Sequence, residues 1–230
     1  MDQAPITSTG ISIQVSLSGY SFKVRSGNEE GPRSPWYGAE RLFTTPELQR
    51  RYQSVEISLL TSKVSLVPES FYNPSSARPA LAEVAALEEG DFVESVNLPS
   101  LASVLVFSNS LGESLSKVMA QTVLPETGMP VRVLPEMYYL LRQLGALPEY
   151  NKIVASWRDG WLHLVIAQGK SLLLANVFDA PDFTTAQYFL FLSLKRLQLN
   201  PEVSTVCFRT PLDPEAEMSL YRYFKGVVQL

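Results

Sequence analysis

The sequence predicts an α/β protein of two tandem halves, each opening with a β-hairpin and a third strand and continuing as helix, strand, helix. A stretch of alternating hydrophobicity at 11–24 and a three-stranded meander at 153–178 begin the halves, and each is followed by residues at helical spacing. The boundary falls near Pro148, giving a first half at 1–148 with a loop insertion at 26–52 and a second at 149–230. The repeat is one of element order, because the residues of the two halves do not visibly match.

Ile11, Ile13, Val15 and Leu17 alternate with Ser12, Gln14, Ser16 and Ser18, the period of a strand with one buried face. Ser18-Gly19 makes a turn, and Tyr20, Phe22 and Val24 carry the alternation back as a hairpin. Ser26 to Ser34 is polar and rich in Gly and Pro, as a mobile loop would be. Thr45 then caps a short helix, with Pro46 at its first position and Glu47 in its first turn. Strands are expected at Val55–Leu59 and, after the turn at Thr61-Ser62-Lys63, at Val64 and Leu66.

Leu81, Val84, Ala85 and Leu87 have helical spacing behind a Ser76 cap, and Val104 to Phe107 reads as a buried strand. Leu111, Leu115, Val118 and Met119 share the face of a further helix. A strand at Val131 to Leu134 leads into a helix over 136–144, with Gly145 as its cap. In the second half, strands at 153–157, 161–167 and 172–178 form a meander with turns at Arg158-Asp159-Gly160 and Gly169-Lys170. Asp182 caps a helix to about Leu199, 203–208 is a strand, and Asp213 with Pro214 opens a last helix to about Lys225.

Composition excludes several classes of function. An apolar content of 46% in 230 residues is that of a chain burying a continuous core. The 19 Lys and Arg form no basic stripe, and with a pI near 5.2 the chain is not built to neutralise phosphates of nucleic acid or an anionic membrane. Met1 to Pro5 has no basic or apolar leader, and the uncharged, mostly apolar run Phe183 to Leu194 is too short to span a bilayer. With one cysteine, Cys207, there is no intramolecular disulfide, and a cytoplasmic protein without membrane insertion is expected.

Catalytic constellations are sparse. His163, the single histidine, lies in a strand and has no second histidine for a metal site, and Cys207 reads as a small buried hydrophobe. Ser114-Leu-Ser-Lys117 fits the Ser-x-x-Lys pattern, but with 26 Ser and 7 Lys about one such match is expected by chance, and its companion motifs are missing. The helix from Asp182 is apolar nearly all round, through Phe183, Tyr188, Phe189, Phe191 and Leu194. It is therefore covered on most sides, or keeps a face for a partner. The tail from Tyr221 to Leu230 either pairs as a final strand or offers an edge for self-association.

The segments Ile11-Ser-Ile-Gln-Val-Ser-Leu-Ser-Gly-Tyr-Ser-Phe22, Val64-Ser-Leu-Val-Pro-Glu-Ser-Phe71 and Leu172-Leu-Leu-Ala-Asn-Val-Phe178 resemble the bacterial family catalogued as domain of unknown function 3822, over about residues 10 to 225. That family is similar to the actin-like ATPase superfamily, and to the cytoplasmic assembly proteins of pili and type II secretion. The resemblance implies two actin-like, ribonuclease-H-like halves with mixed sheets, the second of them shortened. It also implies a cleft in which the first hairpin of each half cradles the phosphates of ATP.

On that expectation Ser16, Ser18 and Gly19 in one half, and Asp159 and Gly160 in the other, are the candidate nucleotide-binding residues. A working site needs small residues for close backbone approach and an Asp to organise the metal. The first hairpin has its glycine but no carboxylate, and positions 3 to 90 contain no Asp. Asp159-Gly160 is equally the commonest kind of tight turn. The expectation is a non-catalytic scaffold or interaction protein without a cofactor, with a protein partner or its own copies. The alternative is a protein that binds ATP with Mg and hydrolyses it weakly or not at all.

Overall fold

The computed structural model of the chain describes residues 9–108, 115–123, 125–129 and 131–230. The N-terminal segment read above as lacking a leader lies outside them, as do Leu111 and Ser114. The described residues form two compact units. Unit 1 runs to Leu59 and resumes in a segment ending at Leu134; unit 2 begins at Leu60 and resumes from Pro135 to Leu230.

The chain opens with β1 (Thr9–Ser16), β2 (Gly19–Ser26), the two-residue β3 (Glu29–Glu30) and β4 (Ser54–Leu59). Unit 2 then supplies β5 (Val64–Pro68), α1 (Ala77–Ala82), β6 (Val93–Leu98) and β7 (Ser103–Ser108). After α2 (Leu115–Thr122) and β8 (Val133–Pro135) come α3 (Glu136–Gln143), β9 (Asn151–Arg158), β10 (Trp161–Gln168) and β11 (Ser171–Asp179). The chain finishes with α4 (Phe183–Arg196), β12 (Thr205–Phe208), α5 (Pro214–Tyr221) and β13 (Gly226–Gln229).

In unit 1 the sheet order is β3-β2-β1-β4-β8. The expected hairpin is present, with β1 and β2 antiparallel from Thr9 opposite Ser26 to Ser16 opposite Gly19, and β4 runs parallel to β1. The apolar face of the hairpin packs as expected, with Ile11, Ile13, Val15, Tyr20, Phe22 and Ile57 in one buried cluster with Met119 of α2, but β1 is covered on its other face too: Gln14 and Ser16 are buried, while Leu17, in the turn, is exposed. Residues 26–34 are more than the loop expected. Glu29 and Glu30 pair with Ser26 and Arg25, and Lys23 meets Glu30 at 2.6 Å, because β2 is a sheet edge that can accept another strand.

In unit 2 the larger sheet has the order β11-β10-β9-β12-β13, the same pattern as in unit 1. Its three-stranded meander is antiparallel, and β12 and β13 run parallel to β9. One face packs on α4 and α5 through Ile153, Leu164, Leu190, Leu194, Phe208 and Leu220. The other packs on α3, which is shared with the small sheet β5-β7-β6, through Val154, Val165, Leu140, Leu141 and Leu105. Leu81 of α1 covers the far side of that small sheet against Val104 and Val106.

The caps of α4 and α5 are those expected. Asp182 accepts from the Thr185 N–H at 2.7 Å and Asp213 from the Ala216 N–H at 2.8 Å. α4 ends with Gln198 at φ 56° and with Leu199 N–H donating to the Leu194 carbonyl, a Schellman closure made without glycine. Its aromatic surface is largely taken up inside unit 2. Phe189 stacks on Phe178 at 4.8 Å and Phe191 meets Tyr223 at 4.9 Å, while Tyr188 remains exposed. Of the two possibilities for the tail, pairing is the one found, with Val227 opposite Val206.

Three local expectations differ. Thr45 precedes a 3₁₀ turn at Pro46–Gln49 without capping it, because its hydroxyl donates to the Arg41 carbonyl instead. Ser76 likewise bonds the Asn73 carbonyl, and α1 stops at Ala82, leaving Val84 exposed. β6 was not anticipated; Val93 to Val96 are only partly buried and Leu98 alone is buried, so its valines do not stand out as a face.

Candidate functional site

The two hairpin turns singled out in the sequence lie in different units. In unit 1, Ser16 closes β1 and Gly19 opens β2, so Leu17 and Ser18 form a two-residue turn. The Ser18 N–H donates to Ser16 Oγ at 3.3 Å, the two hydroxyls lie 3.3 Å apart, and Trp36 Nε1–H donates to Ser18 Oγ at 3.1 Å.

Behind the turn, residues 34–37 run alongside β2 as though they were another strand. Ser34 N–H donates to the Phe22 carbonyl at 2.7 Å and Phe22 N–H to Ser34 Oγ at 2.9 Å. Tyr37 and Tyr20 exchange both backbone hydrogen bonds. This explains Gly19. At φ +146° it occupies backbone space that side chains disfavour, and a Cβ there would sit 1.9 Å from the Tyr37 carbonyl oxygen.

The same segment buries the Tyr20 ring. Its hydroxyl donates to Thr45 Oγ1 at 2.6 Å, since Thr45 spends its own proton on the Arg41 carbonyl. Burial holds the Tyr20 phenol above its ordinary pKa, against the opposing effect of the Thr45 bond. The Arg41 guanidinium lies 5.4 Å over the Tyr37 ring. Tyr37 carried a signal in the sequence: Trp36-Tyr37 are aromatic residues in a stretch otherwise read as a polar insertion.

In unit 2, Asp159 (φ 50°) and Gly160 (φ 80°) are the two central residues of a β9–β10 turn of type I′. The Asp159 carboxylate faces the Arg158 guanidinium at 3.8 Å, and the Gly160 carbonyl accepts from the Ala180 N–H at 2.6 Å. The turn is braced further by Trp157, whose indole N–H donates to the Ala180 carbonyl and whose backbone N–H donates to Thr210 Oγ1, both at 2.9 Å.

A polar cluster that no local pattern announced lies within unit 2. Glu136, fully buried at the start of α3, accepts from Ser156 Oγ at 2.6 Å and from Arg209 Nη1 at 2.7 Å. The Arg209 guanidinium also lies 5.0 Å over the Tyr139 ring. Glu136 and Arg209 are 73 residues apart, so only the fold brings them together.

His163 is fully buried, with Nε2 2.9 Å from the Thr61 carbonyl. A carbonyl only accepts, so the proton is on Nε2. Burial holds the imidazole below its ordinary pKa, with smaller opposing effects from the Thr61 bond, the Glu136 carboxylate and the Ser156 backbone. Cys207 is buried too, and burial, reinforced by the Glu149 carboxylate, pushes its thiol up to about 11. Among the described residues no three His, Cys, Asp or Glu side chains gather as a metal site would require.

The model of the family described as protein of unknown function DUF3822 matches residues 38–227. The chain belongs to this family. The matched span includes the Val64–Phe71 and Leu172–Phe178 segments and begins beyond the β1–β2 hairpin. Among curated proteins, no sequence matches the chain.

Solved structures supply the fold. A Bacteroides thetaiotaomicron protein of unknown function with an actin-like ATPase fold superposes with a TM-score of 0.67 at 16% identity, covering 100% of this chain and 94% of that one. The cytoplasmic domain of EpsL, an inner-membrane component of the Vibrio cholerae type II secretion system, gives 0.51 at 16% identity over 90% and 84%. A chain of the PilM–PilN type IV pilus biogenesis complex gives 0.54 at 14% identity over 96% and 88%. The protein thus has the actin-like ATPase fold. Among the described residues no helix is long and apolar enough to cross a membrane.

Proposed function

We propose that this chain is a non-catalytic actin-like scaffold that works in the cytoplasm by binding a protein partner or copies of itself. The observation that carries the reading is the use of the first hairpin. Phosphate binding needs backbone N–H groups that face a ligand. Here the Tyr20 N–H is bonded to Tyr37, the Ser18 N–H to Ser16, and the space beside Gly19 is taken by the Tyr37 carbonyl.

The second hairpin supports the same view, since a type I′ turn accounts for Asp159 and Gly160 without a ligand. Two of the structures sharing the fold are named as parts of secretion and pilus assemblies, which favours a role in protein contacts. Nucleotide binding through Ser16, Ser18, Gly19, Asp159 and Gly160 is the competing reading. Its support is that both turns join the first two strands of sheets with the same strand order.

Magnesium-dependent ATP hydrolysis distinguishes the two. The scaffold reading expects turnover no higher than that of a protein-free control. Hydrolysis that is abolished by Asp159→Ala would overturn it.

A further inference from the structure

Among the described residues the chain passes into unit 2 at two places, from Leu59 to Leu60 and from Leu134 to Pro135. Just inside each crossing is a buried polar group that the regular ladders do not satisfy. Thr61, between β4 and β5, is 1% exposed, and its carbonyl accepts from His163 Nε2 at 2.9 Å. Glu136, the first residue of α3, is 0% exposed, and its carboxylate accepts from Ser156 Oγ at 2.6 Å and Arg209 Nη1 at 2.7 Å. A buried carbonyl or carboxylate left without such a donor is costly, so each crossing is held where its donor is.

Two of these donors, Ser156 and His163, are neighbours. Ser156 on β9 and His163 on β10 are opposite one another in the antiparallel register. A neutral imidazole with its proton on Nε2 has one hydrogen bond to give, and His163 gives it to Thr61. Ser156 reaches the Glu136 oxygen that Arg209 Nη1 does not. A single cross-strand pair in the centre of the larger sheet therefore bonds to both crossings, with Arg209 adding a second bond at Glu136.

We infer that Ser156 and His163 form a clamp that fixes Thr61 and Glu136 to unit 2, so that the give in the two connections lies on the Leu59 and Leu134 side of them. The inference is independent of whether a nucleotide binds. It assigns a reason for a histidine and a serine in a sheet face that also carries Val154, Val165, Ala167, Ala175 and Val177.

Amide hydrogen exchange on the whole chain tests it. In the unaltered protein the amides of Lys63 and Val64, and of Tyr139 to Leu141 in the first bonded turn of α3, are expected to be as slow as those of β9 and β10. Fast exchange there would overturn the clamp and needs no variant. His163→Phe should speed Lys63 and Val64 at least tenfold, and Ser156→Ala should speed Tyr139 to Leu141, with β12 and α4 unchanged in both. Exchange that rises uniformly across unit 2, or at neither crossing, would reduce the pair to ordinary core residues.

Discussion

Tyr20 and Tyr37 exchange both of their backbone hydrogen bonds, at 2.8 and 2.7 Å, and so bring the Tyr37 carbonyl against Gly19 at the point where the first hairpin turns. The first hairpin is thus a partner for the chain's own segment. Gly19→Ala should therefore destabilise the fold by about 3 kcal/mol, through strain at a left-handed position and displacement of Tyr37. Chemical denaturation measures this; a loss under about 1 kcal/mol would mean that Tyr37 is not seated as described.

The buried Glu136–Arg209 pair sets up a second expectation. Glu136→Gln leaves the Arg209 charge with a neutral partner in a site 8% exposed, and breaking such a pair typically costs about 3–5 kcal/mol. Arg209→Met should cost a similar amount, and Glu136→Gln with Arg209→Met less than the sum. Additive losses in a double-mutant cycle would show that the two side chains are not coupled.

Stability should depend on pH through His163. In the folded chain the imidazole stays neutral below its ordinary pKa, whereas in the unfolded chain it protonates as pH falls through about 6.5. The unfolded state then binds more protons, so stability falls from about pH 6.5 downward toward the depressed folded value, and no loss arises above that window. His163→Phe should flatten the difference in Tm between pH 7 and pH 5. An unchanged slope in the variant would contradict the buried neutral assignment.

Cys207 gives the opposite arm. Its folded thiol ionises near pH 11, while an unfolded thiol does so near 8.5, so stability should decline between roughly those values as pH rises. At pH 8 a thiol reagent should label the native protein hardly at all and the denatured protein once. Rapid labelling of the native protein would place Cys207 at an accessible surface.

Much of this architecture is written in short-range patterns. Ile11 to Val24 declare a hairpin by alternation, and Asp182 and Asp213 declare helix starts by side chains that do cap, because strand faces and caps are properties of neighbouring residues. Thr45 and Ser76 have the same chemistry, but a carbonyl three or four residues back takes each hydroxyl. What the sequence hides is long range. Nothing near Glu136 points to Arg209, and nothing near His163 points to Thr61, 102 residues away. The candidate turns were visible as Ser-Leu-Ser-Gly and Asp-Gly, but the segment 34–37 that lies along β2 reads as loop until its aromatic pair is given weight.

The most direct test of the scaffold reading is the thermal stability of the protein with and without millimolar ATP and magnesium. A ligand at a hundred times its Kd stabilises the folded state by about 2.7 kcal/mol, a rise of several degrees for a chain of this size. The account predicts no rise. An upward shift of several degrees that Asp159→Ala removes would contradict it.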